Sequence, residues 1–177
     1  MNENKFIPQV LETERLILRP LTINDKDAIF KWAGDPEVAK YMRYPLYRSP
    51  DDATYWLTHI YETEKTLDYG FVFKVTGELI GSGGLIFDTE ENNWTLGYNI
   101  RRDMWGKGIV TEACRKIIEH ARNNYDVKKI VSVFAVDNPK SGHVMEKLGM
   151  KFHCDCEYTK WDGSESFKAK KYEIIFE

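Results

Sequence analysis

Two glycines, Gly106 and Gly108, restrict the fold most, because they stand between a strand-like run and a helix-like run. The strand-like run covers 94–100, and the helix-like run begins at 109. Glycine lets the backbone turn sharply and lets a ligand approach it closely. A helix start leaves several N–H groups unpaired and carries a partial positive charge. This order of elements predicts an anion site, most often one for phosphate.

Two common phosphate-binding loops are excluded by the residues around this turn. A P-loop requires Gly-x4-Gly-Lys-Ser/Thr, and the chain contains no such string. A dinucleotide-binding fingerprint requires a third glycine where Thr111 stands. The glycine pair alone is equally compatible with a tight strand-to-helix turn that binds nothing.

Length and charge indicate the general class of protein. The 177 residues suit one domain spanning 1–177, and a formal net charge of -3 is unlike the basic surface of a general nucleic-acid binder. The first residues lack the apolar segment of a secretory signal, and no apolar run approaches membrane-spanning length. We expect a cytoplasmic protein with no direct nucleic-acid or membrane partner.

A metal site is not expected from the cysteines and histidines. Cys114, Cys154 and Cys156 fit a reducing compartment, and the last two lack the two-residue spacer of zinc or redox pairs. The four histidines show no metal-ligand spacing.

Hydrophobic periodicity and turn residues predict helices mixed with strands. An extended N-terminal segment begins at Leu16. Helices are predicted over 22–33, 36–42, 49–65 and 109–124, and a short helix ends at Gly149. Strands are predicted over 69–75, 78–87, 94–100, 129–136, 151–158 and 167–176. This order predicts one α/β domain with a mixed sheet.

The segment from Trp105 to Ala113 resembles the acetyl-CoA loop of the GNAT N-acetyltransferases. That family's pattern is Gln/Arg-x-x-Gly-x-Gly/Ala, and here Trp105, Gly108 and Val110 take its defined positions. The variant Trp-Gly-Lys-Gly-x-x-Thr-Glu-Ala is typical of the RimJ/RimL-like branch, which modifies the N-termini of ribosomal proteins.

Other landmarks of that branch follow in the same order, so that the resemblance covers about residues 13–176. They are Thr13-Glu14-Arg15-Leu16-Ile17-Leu18-Arg19-Pro20-Leu21, Asp35-Pro36-Glu37-Val38, Leu96-Gly97-Tyr98, Asn138-Pro139-Lys140-Ser141 and Glu146-Lys147-Leu148-Gly149-Met150. The resemblance implies the single-domain GNAT fold: a mixed, mostly antiparallel sheet flanked by helices, with the fourth and fifth strands splayed apart.

The resemblance also implies that acetyl-CoA binds at the glycine turn and between the splayed strands. Its pantetheine arm would lie between 96–100 and 133–136. Asn138 would hold the pantetheine or the exit of the strand, or it only begins a helix. Lys107 could meet a phosphate, or it is a solvated surface lysine. The residues expected to hold the cofactor are Leu96, Tyr98, Asn99, Ile100, Trp105, Gly106, Lys107, Gly108, Ile109, Val110, Thr111, Asn138 and Ser141.

Two residues are expected to take part in catalysis if the resemblance holds. A backbone N–H at Tyr98 or Asn99 would polarise the thioester carbonyl. Ser141 is the candidate general acid toward the leaving thiolate, because members of this branch place a serine there. Alternatively, Ser141 is only a small polar residue on the first turn of a helix.

The acceptor side is expected to involve Tyr41, Tyr44 and Thr95. Tyr41 and Tyr44, with Met42 and Tyr47, would line the acceptor mouth or merely cap the sheet. Thr95 stands where the branch often has a glutamate, and a threonine cannot act as a base at neutral pH. The nearby carboxylates Glu90 and Glu91 are expected to lie at the surface.

A site with a poor base favours an acceptor that is already partly neutral. An α-amine with a pKa near 7.8 costs about 1 kcal/mol to deprotonate at pH 7, whereas a lysine or polyamine amine near 10.4 costs about 4.6 kcal/mol. We therefore expect an N-acetyltransferase acting on peptide α-amines, with a ribosomal protein N-terminus as one acceptor. A small-molecule acetyltransferase (for a polyamine, amino sugar or antibiotic) and a CoA-binding protein without turnover remain alternatives, as do monomer and homodimer.

Overall fold

The computed structural model of the protein describes residues 7–63 and 65–177. Within them the chain forms a sheet of eight strands: β1 (Leu11–Glu12), β2 (Leu16–Arg19), β3 (Thr66–Phe73), β4 (Glu78–Asp88), β5 (Asn93–Ile100), β6 (Lys129–Ala135), β7 (Lys151–Thr159) and β8 (Ser166–Ile175). Their spatial order is β1-β2-β3-β4-β5-β6-β8-β7. All neighbours are antiparallel except β5 and β6, which confirms the predicted mixed sheet.

Five α-helices flank the sheet in the part of the chain that the structure describes. They are α1 (Lys26–Ala33), α2 (Pro36–Ala39), α3 (Thr54–His59), α4 (Ile109–Asn124) and α5 (Pro139–Lys147). The bounds of α4 are those predicted, and it buries a stripe that includes Ile109, Ala113, Ile117 and Ala121. α2 begins at Pro36, after an Asp35 side chain that accepts a hydrogen bond from the Glu37 N–H at 3.0 Å.

The predicted divergence of the fourth and fifth predicted strands is confirmed at β5 and β6, which are those two strands. Their parallel pairing is confined to Trp94 opposite Ile130 and Thr95 opposite Val131. One residue further on, the Ser132 hydroxyl donates to the Leu96 carbonyl at 2.8 Å. Beyond this point a cleft opens between the two strands.

The sheet separates two apolar clusters. α4 packs on one face, where the largest cluster includes Tyr69, Leu85 and Ile117. α1 and α3 pack on the other face, where Trp32 and Leu57 belong to a second cluster. Burial of these side chains stabilises the fold by about 25 cal/mol for each Å² of apolar surface removed from water. The cleft between β5 and β6 connects the two faces.

Some predicted boundaries are wrong, because tertiary contacts override local propensity. The helix predicted over 49–65 begins as a 3-10 turn at Pro50–Ala53 and ends at His59. After it the chain turns so that the Tyr61 hydroxyl accepts from the Leu21 N–H and donates to the Asp68 carbonyl, both at 2.8 Å. The strand predicted to start at Tyr69 starts at Thr66, and α2 ends at Ala39 rather than 42.

Two further properties concern the described residues alone. They contain no helix that is long and apolar enough to cross a membrane. They also contain no cluster of three or more histidine, cysteine, aspartate or glutamate side chains that could hold a metal ion. Residues 1–6 and 64, which the predicted domain 1–177 includes, lie outside the described residues.

Candidate active site in the cleft between β5 and β6

The glycine turn adopts a backbone conformation that other residues rarely take. Gly106 has φ +73° and Gly108 has φ +72°, and Gly108 directly precedes α4. A side chain at Gly106 would meet no atom within 4 Å, and one at Gly108 would have Arg15 Nη2 as its nearest neighbour at 3.8 Å. The space in front of the α4 N-terminus is therefore open, so this turn fits a phosphate group approaching the backbone.

The side chains around the glycine turn differ in how accessible they are to a ligand. Ile109 and Thr111 are buried, with exposed fractions of 2% and 8%, so Ile109 offers a ligand only its backbone. The Trp105 indole donates to the Ile100 carbonyl at 3.2 Å and is partly exposed. The Lys107 ammonium lies 3.8 Å from the Met104 sulfur. Val110 is half-buried.

Glu112 connects two motifs that are almost one hundred residues apart in sequence. Its carboxylate accepts from the Thr13 hydroxyl at 2.6 Å, the Arg15 N–H at 2.9 Å and the Arg15 Nε at 2.6 Å. Arg15 Nη1 in turn donates to the Lys107 carbonyl at 2.9 Å. The N-terminal motif therefore holds the glycine turn against the start of α4.

We expect Glu112→Gln to lower stability at pH 7 by about 1–2 kcal/mol, because charge-assisted hydrogen bonds are lost at a mostly buried site. Burial alone would raise the pKa of Glu112, but the bonds from Thr13 and Arg15 outweigh burial and lower it. The stabilisation is thus present above the ordinary pKa of glutamate and is lost as the pH falls through the lowered value. Thermal melting from pH 7 into acid should show the two proteins converging, while Glu119→Gln, an exposed site on the same helix, should change little.

The backbone N–H and C=O groups of successive β5 residues point alternately toward β4 and toward the cleft. The Gly97 and Asn99 carbonyl oxygens face β4, where a side chain at Gly83 or Gly81 would lie 2.6 Å from them. The Leu96 carbonyl instead accepts from Ser132 across the cleft. Because N–H and C=O groups alternate sides along a strand, the Tyr98 N–H faces the cleft and the Asn99 N–H faces β4. Of the two N–H groups considered from sequence, the geometry favours Tyr98.

Tyr98 and Ser141 meet at the cleft, a contact that was not predicted from the sequence. The Tyr98 hydroxyl donates to the Ser141 carbonyl at 2.9 Å and lies 3.0 Å from the Ser141 hydroxyl. Burial raises the pKa of Tyr98 and outweighs the bond to Ser141, which lowers it. The phenol is therefore neutral near pH 7, so the two hydroxyls form a connected pair that can donate a proton.

Asn138 precedes α5, and its carbonyl accepts from the Ser141 N–H at 3.1 Å. Its side chain makes no capping hydrogen bond to α5. The Asn138 side chain lies at the wall of a cavity instead.

That cavity has a volume of about 330 Å³ and includes the cleft. It extends from Tyr98, Asn138 and Ser141 to the loop 41–47, called here the aromatic loop, on the sheet face that carries α1 and α3. The aromatic and sulfur-containing side chains along this part include Tyr41, Met42, Tyr44, Tyr47, Trp56 and Trp161. Tyr41 and Tyr44 therefore lie on the same cavity as Tyr98 and Ser141.

The loop keeps its position through hydrogen bonds from the end of β7 and from the segment that follows it. Lys160 Nζ donates to the Ala39 carbonyl at 2.8 Å and to the Met42 carbonyl at 3.0 Å. The Tyr158 hydroxyl donates to the Tyr41 carbonyl at 2.6 Å. Burial raises the pKa of Tyr44, whose hydroxyl has no partner among the described residues, so it remains a neutral phenol at the cavity wall.

Thr95 and Asp68 lie on the same sheet face and line the same cavity. Thr95 is exposed, whereas Asp68 is 8% exposed and was not identified from the sequence. The available signal was a carboxylate directly before a strand-like run, and β3 begins two residues earlier than predicted. Glu90 and Glu91 are exposed residues of the turn before β5 and do not line the cavity.

The chain is similar in sequence to proteins of one known family. The family described as "Acetyltransferase (GNAT) domain" matches residues 15–151. An uncharacterized N-acetyltransferase p20 from Bacillus licheniformis is 28% identical over 147 residues, covering 81% of this chain and 83% of that protein. An uncharacterized N-acetyltransferase YoaA from Bacillus subtilis is 27% identical over 170 residues, covering 94% and 96%.

The chain is also similar, over a shorter stretch, to YdaF of Bacillus subtilis, which is described as a putative ribosomal N-acetyltransferase. The two are 41% identical over 54 residues, which is 30% of each chain.

Solved structures share the fold. A GNAT-family acetyltransferase from Bacillus anthracis superimposes with a TM-score of 0.81 at 19% identity, covering 94% of this chain and 98% of that one. The microcin C7 self-immunity acetyltransferase MccE, in complex with acetyl-CoA and AMP, superimposes with a TM-score of 0.78 at 19% identity, covering 93% and 94%. The chain therefore belongs to the GNAT acetyltransferase family, whose members are acyltransferases that use acetyl-CoA as cosubstrate.

Proposed function

We propose that this N-acetyltransferase acts on the α-amine of a protein or peptide N-terminus in the cytoplasm. The charge of the cavity wall is the observation that carries the proposal. Among the described residues of that wall, Asp68 is the only acidic side chain and Arg43 the only basic one. A polyamine carries several positive charges and would need several carboxylates, whereas a peptide N-terminus carries one.

The aromatic loop also suits a peptide. Tyr41, Tyr44 and Tyr47 offer rigid apolar area together with hydroxyl groups, and such side chains pack well against the first residues of an extended chain. The partial likeness to YdaF supports a protein acceptor, and on that basis a ribosomal protein is the first acceptor to test. It also supports a place in the RimJ/RimL-like branch.

We assign the remaining roles on the basis of the site geometry. The N–H groups from Trp105 to Val110 would hold the pyrophosphate, and the Tyr98 N–H would stabilise negative charge on the thioester oxygen. The paired hydroxyls of Tyr98 and Ser141 would supply a proton to the departing thiolate. Bound acetyl-CoA supplies an activated acetyl group, and the protein residues orient it and move protons.

We expect alanine- or serine-initiated pentapeptides to be better acceptors than spermidine at pH 7. The pKa difference alone corresponds to about 3.5 kcal/mol in the cost of deprotonation. The measurement is kcat/KM for each acceptor between pH 6 and pH 9. The preference for the pentapeptides should narrow as the pH rises. Above pH 8 the peptide α-amine is already mostly free base, whereas the free-base fraction of spermidine continues to increase.

The same assay separates the alternatives. A wide preference for spermidine at pH 7 contradicts the proposal and indicates a small-molecule enzyme. Absence of thiol release from acetyl-CoA with any amine, in a protein that binds CoA by calorimetry, indicates a binder without turnover. Thr95→Glu, which places a carboxylate on β5, should narrow the gap between peptide and spermidine, since an added base helps the more basic amine more.

A further inference from the structure

Asp68 is a buried carboxylate in the interior of β3, where aspartate is disfavoured. Its exposed fraction is 8%, and it lines the cavity that also contains Tyr98 and Ser141. Burying a carboxylate without a cationic partner costs folding free energy. Such groups are found mostly at functional sites, so Asp68 is a candidate functional residue.

The immediate surroundings of Asp68 are neutral. Among the described residues its carboxylate accepts one hydrogen bond, from the Tyr69 N–H at 3.1 Å. The titratable groups that interact electrostatically with it are Tyr61 after α3, Tyr69 on β3 and Cys114 on α4, whose pKa values are all raised, chiefly by burial. Arg43, from the aromatic loop, is the basic residue on the same cavity wall. The position of Asp68 is fixed by the Tyr61 hydroxyl, which donates to the Asp68 carbonyl at 2.8 Å.

A passage without side chains leads from Asp68 to the cleft. In the sheet Asp68 pairs with Gly84 on β4, and Gly84 pairs with Gly97 on β5, so the three residues share one face. A side chain at Gly84 would collide with the Leu67 carbonyl, whereas one at Gly97 would meet no atom within 4 Å. With strands about 4.8 Å apart, Asp68 and Gly97 Cα atoms are about 10 Å apart. Because a hydrogen bond spans about 2.8 Å, a chain of two water molecules covers about 8 Å and can bridge the carboxylate and an amine placed over Gly97.

We propose that Asp68 is the proton acceptor for the amine in this cavity, acting through a short chain of water molecules across the Gly84–Gly97 passage. The proposal rests on the proposed function, in that the acceptor is an amine. The incoming ammonium gives one proton to the Asp68 carboxylate by way of the water chain, which frees the nitrogen lone pair. That lone pair forms the C–N bond at the thioester carbonyl carbon, and the C–S bond electrons leave on sulfur as a thiolate. The Tyr98–Ser141 hydroxyl pair protonates the thiolate and takes the second N–H proton in return. Asp68 then returns its proton to solvent.

The protonation equilibrium of Asp68 suits this task. Burial raises the pKa of Asp68 to about 7, although the bond from the Tyr69 N–H lowers it. A base with a pKa close to that of an α-amine takes its proton at small cost, whereas a polyamine amine is more strongly basic. Asp68 thereby supplies the base that Thr95 does not provide.

The first test measures the carboxylate itself and needs no turnover. In a ¹³C-NMR titration of aspartate carboxyl groups without ligands, we expect one resonance to titrate near pH 7 and to be absent from Asp68→Asn. If Asp68→Asn does not fold, Asp68→Ser provides the same assignment. An Asp68 resonance that titrates near pH 4 overturns the proposal.

The second test is kinetic. We expect Asp68→Asn to lower kcat/KM for the best acceptor at pH 7 by more than about 100-fold, with acetyl-CoA affinity by calorimetry unchanged. In the wild-type protein we expect kcat/KM to rise with pH around pH 7. In Asp68→Asn this rise should instead follow the pKa of the amine. Thr95→Glu added to Asp68→Asn should recover part of the rate, which a merely structural role of Asp68 does not predict. Asp155→Asn, an exposed carboxylate on β7 paired with Lys170, is the matched control and should keep the wild-type rate.

Failures of the two proposals are distinguishable. If the wild-type protein acetylates spermidine and not the pentapeptides, the proposed acceptor is wrong, and Asp68→Asn is then tested with spermidine. If the wild-type protein turns over no amine, the proposed function fails, and an Asp68 resonance that titrates near pH 4 separately rules out Asp68 as a proton acceptor near pH 7. A wild-type pH profile in Asp68→Asn contradicts the assignment of Asp68, whatever the acceptor.

Discussion

Gly108→Val is expected to weaken CoA binding by more than about tenfold. Gly108 has φ +72°, and a β-branched residue in this left-handed conformation carries strain of about 1–3 kcal/mol. Its side chain would project into the open space before α4, where a phosphate must approach the N–H groups. Strain and steric exclusion act in the same direction, so calorimetry with CoA should show a clear loss of affinity.

Gly77→Val is the matched control for this prediction. Gly77 has φ +70° in the turn between β3 and β4, and a side chain there would meet no atom within 4 Å. It therefore carries comparable backbone strain away from the glycine turn and should lower the melting temperature without changing CoA affinity. Unchanged affinity in a folded Gly108→Val protein would rule out the pyrophosphate site at this turn.

Ser141→Ala is expected to lower kcat by more than about tenfold with little change in acetyl-CoA affinity. The reason is the hydroxyl pair: Tyr98 and Ser141 oxygens lie 3.0 Å apart, and the phenol also bonds the Ser141 carbonyl. Removing either hydroxyl breaks the same proton path. Tyr98→Phe should therefore reduce kcat as well, and the double variant should be about as slow as the slower single variant. Steady-state kinetics of the three variants gives the measurement.

Ser166→Ala is the control for Ser141→Ala. Ser166 also has a hydroxyl 2.8 Å from another hydroxyl, that of Thr159, but it is exposed at the start of β8. It should leave kcat unchanged. If Ser141→Ala lowers the melting temperature while kcat is kept, Ser141 serves only the first turn of α5. Effects of Ser141→Ala and Tyr98→Phe that simply add would show that the two hydroxyls act independently.

Features encoded by neighbouring residues were predictable from the sequence. α4 was predicted over 109–124 with the observed bounds, because its apolar residues recur at helical spacing and glycine precedes it. β6 was predicted over 129–136, because a nearly continuous apolar run indicates a strand covered on both faces. The observed strand ends one residue earlier, at Ala135. The divergence of β5 and β6 was expected from the family resemblance rather than from these local patterns.

Boundaries that depend on distant partners were predicted less well. α3 ends at His59, six residues before the predicted end of its helix, because Tyr61 bonds Leu21 and Asp68 instead of continuing the helix. Asp68 was missed for a related reason: Thr66–Asp68 extend β3 only through pairing with β4. Local propensity contains no information on such partners.

The sequence by itself determined the glycine turn, the helix that follows it and the strands on either side, since these depend on residues close along the chain. Only the tertiary structure decided which side chains meet at the cleft. Tyr98 reaches Ser141 because β6 lies parallel beside β5 and returns the chain to α5 at the same end of the sheet. Asp68 faces the cleft only through the register of β3, β4 and β5, which aligns it with Gly84 and Gly97. A slip of one residue in that register would turn Asp68 to the opposite face, because successive side chains of a strand point to opposite sides.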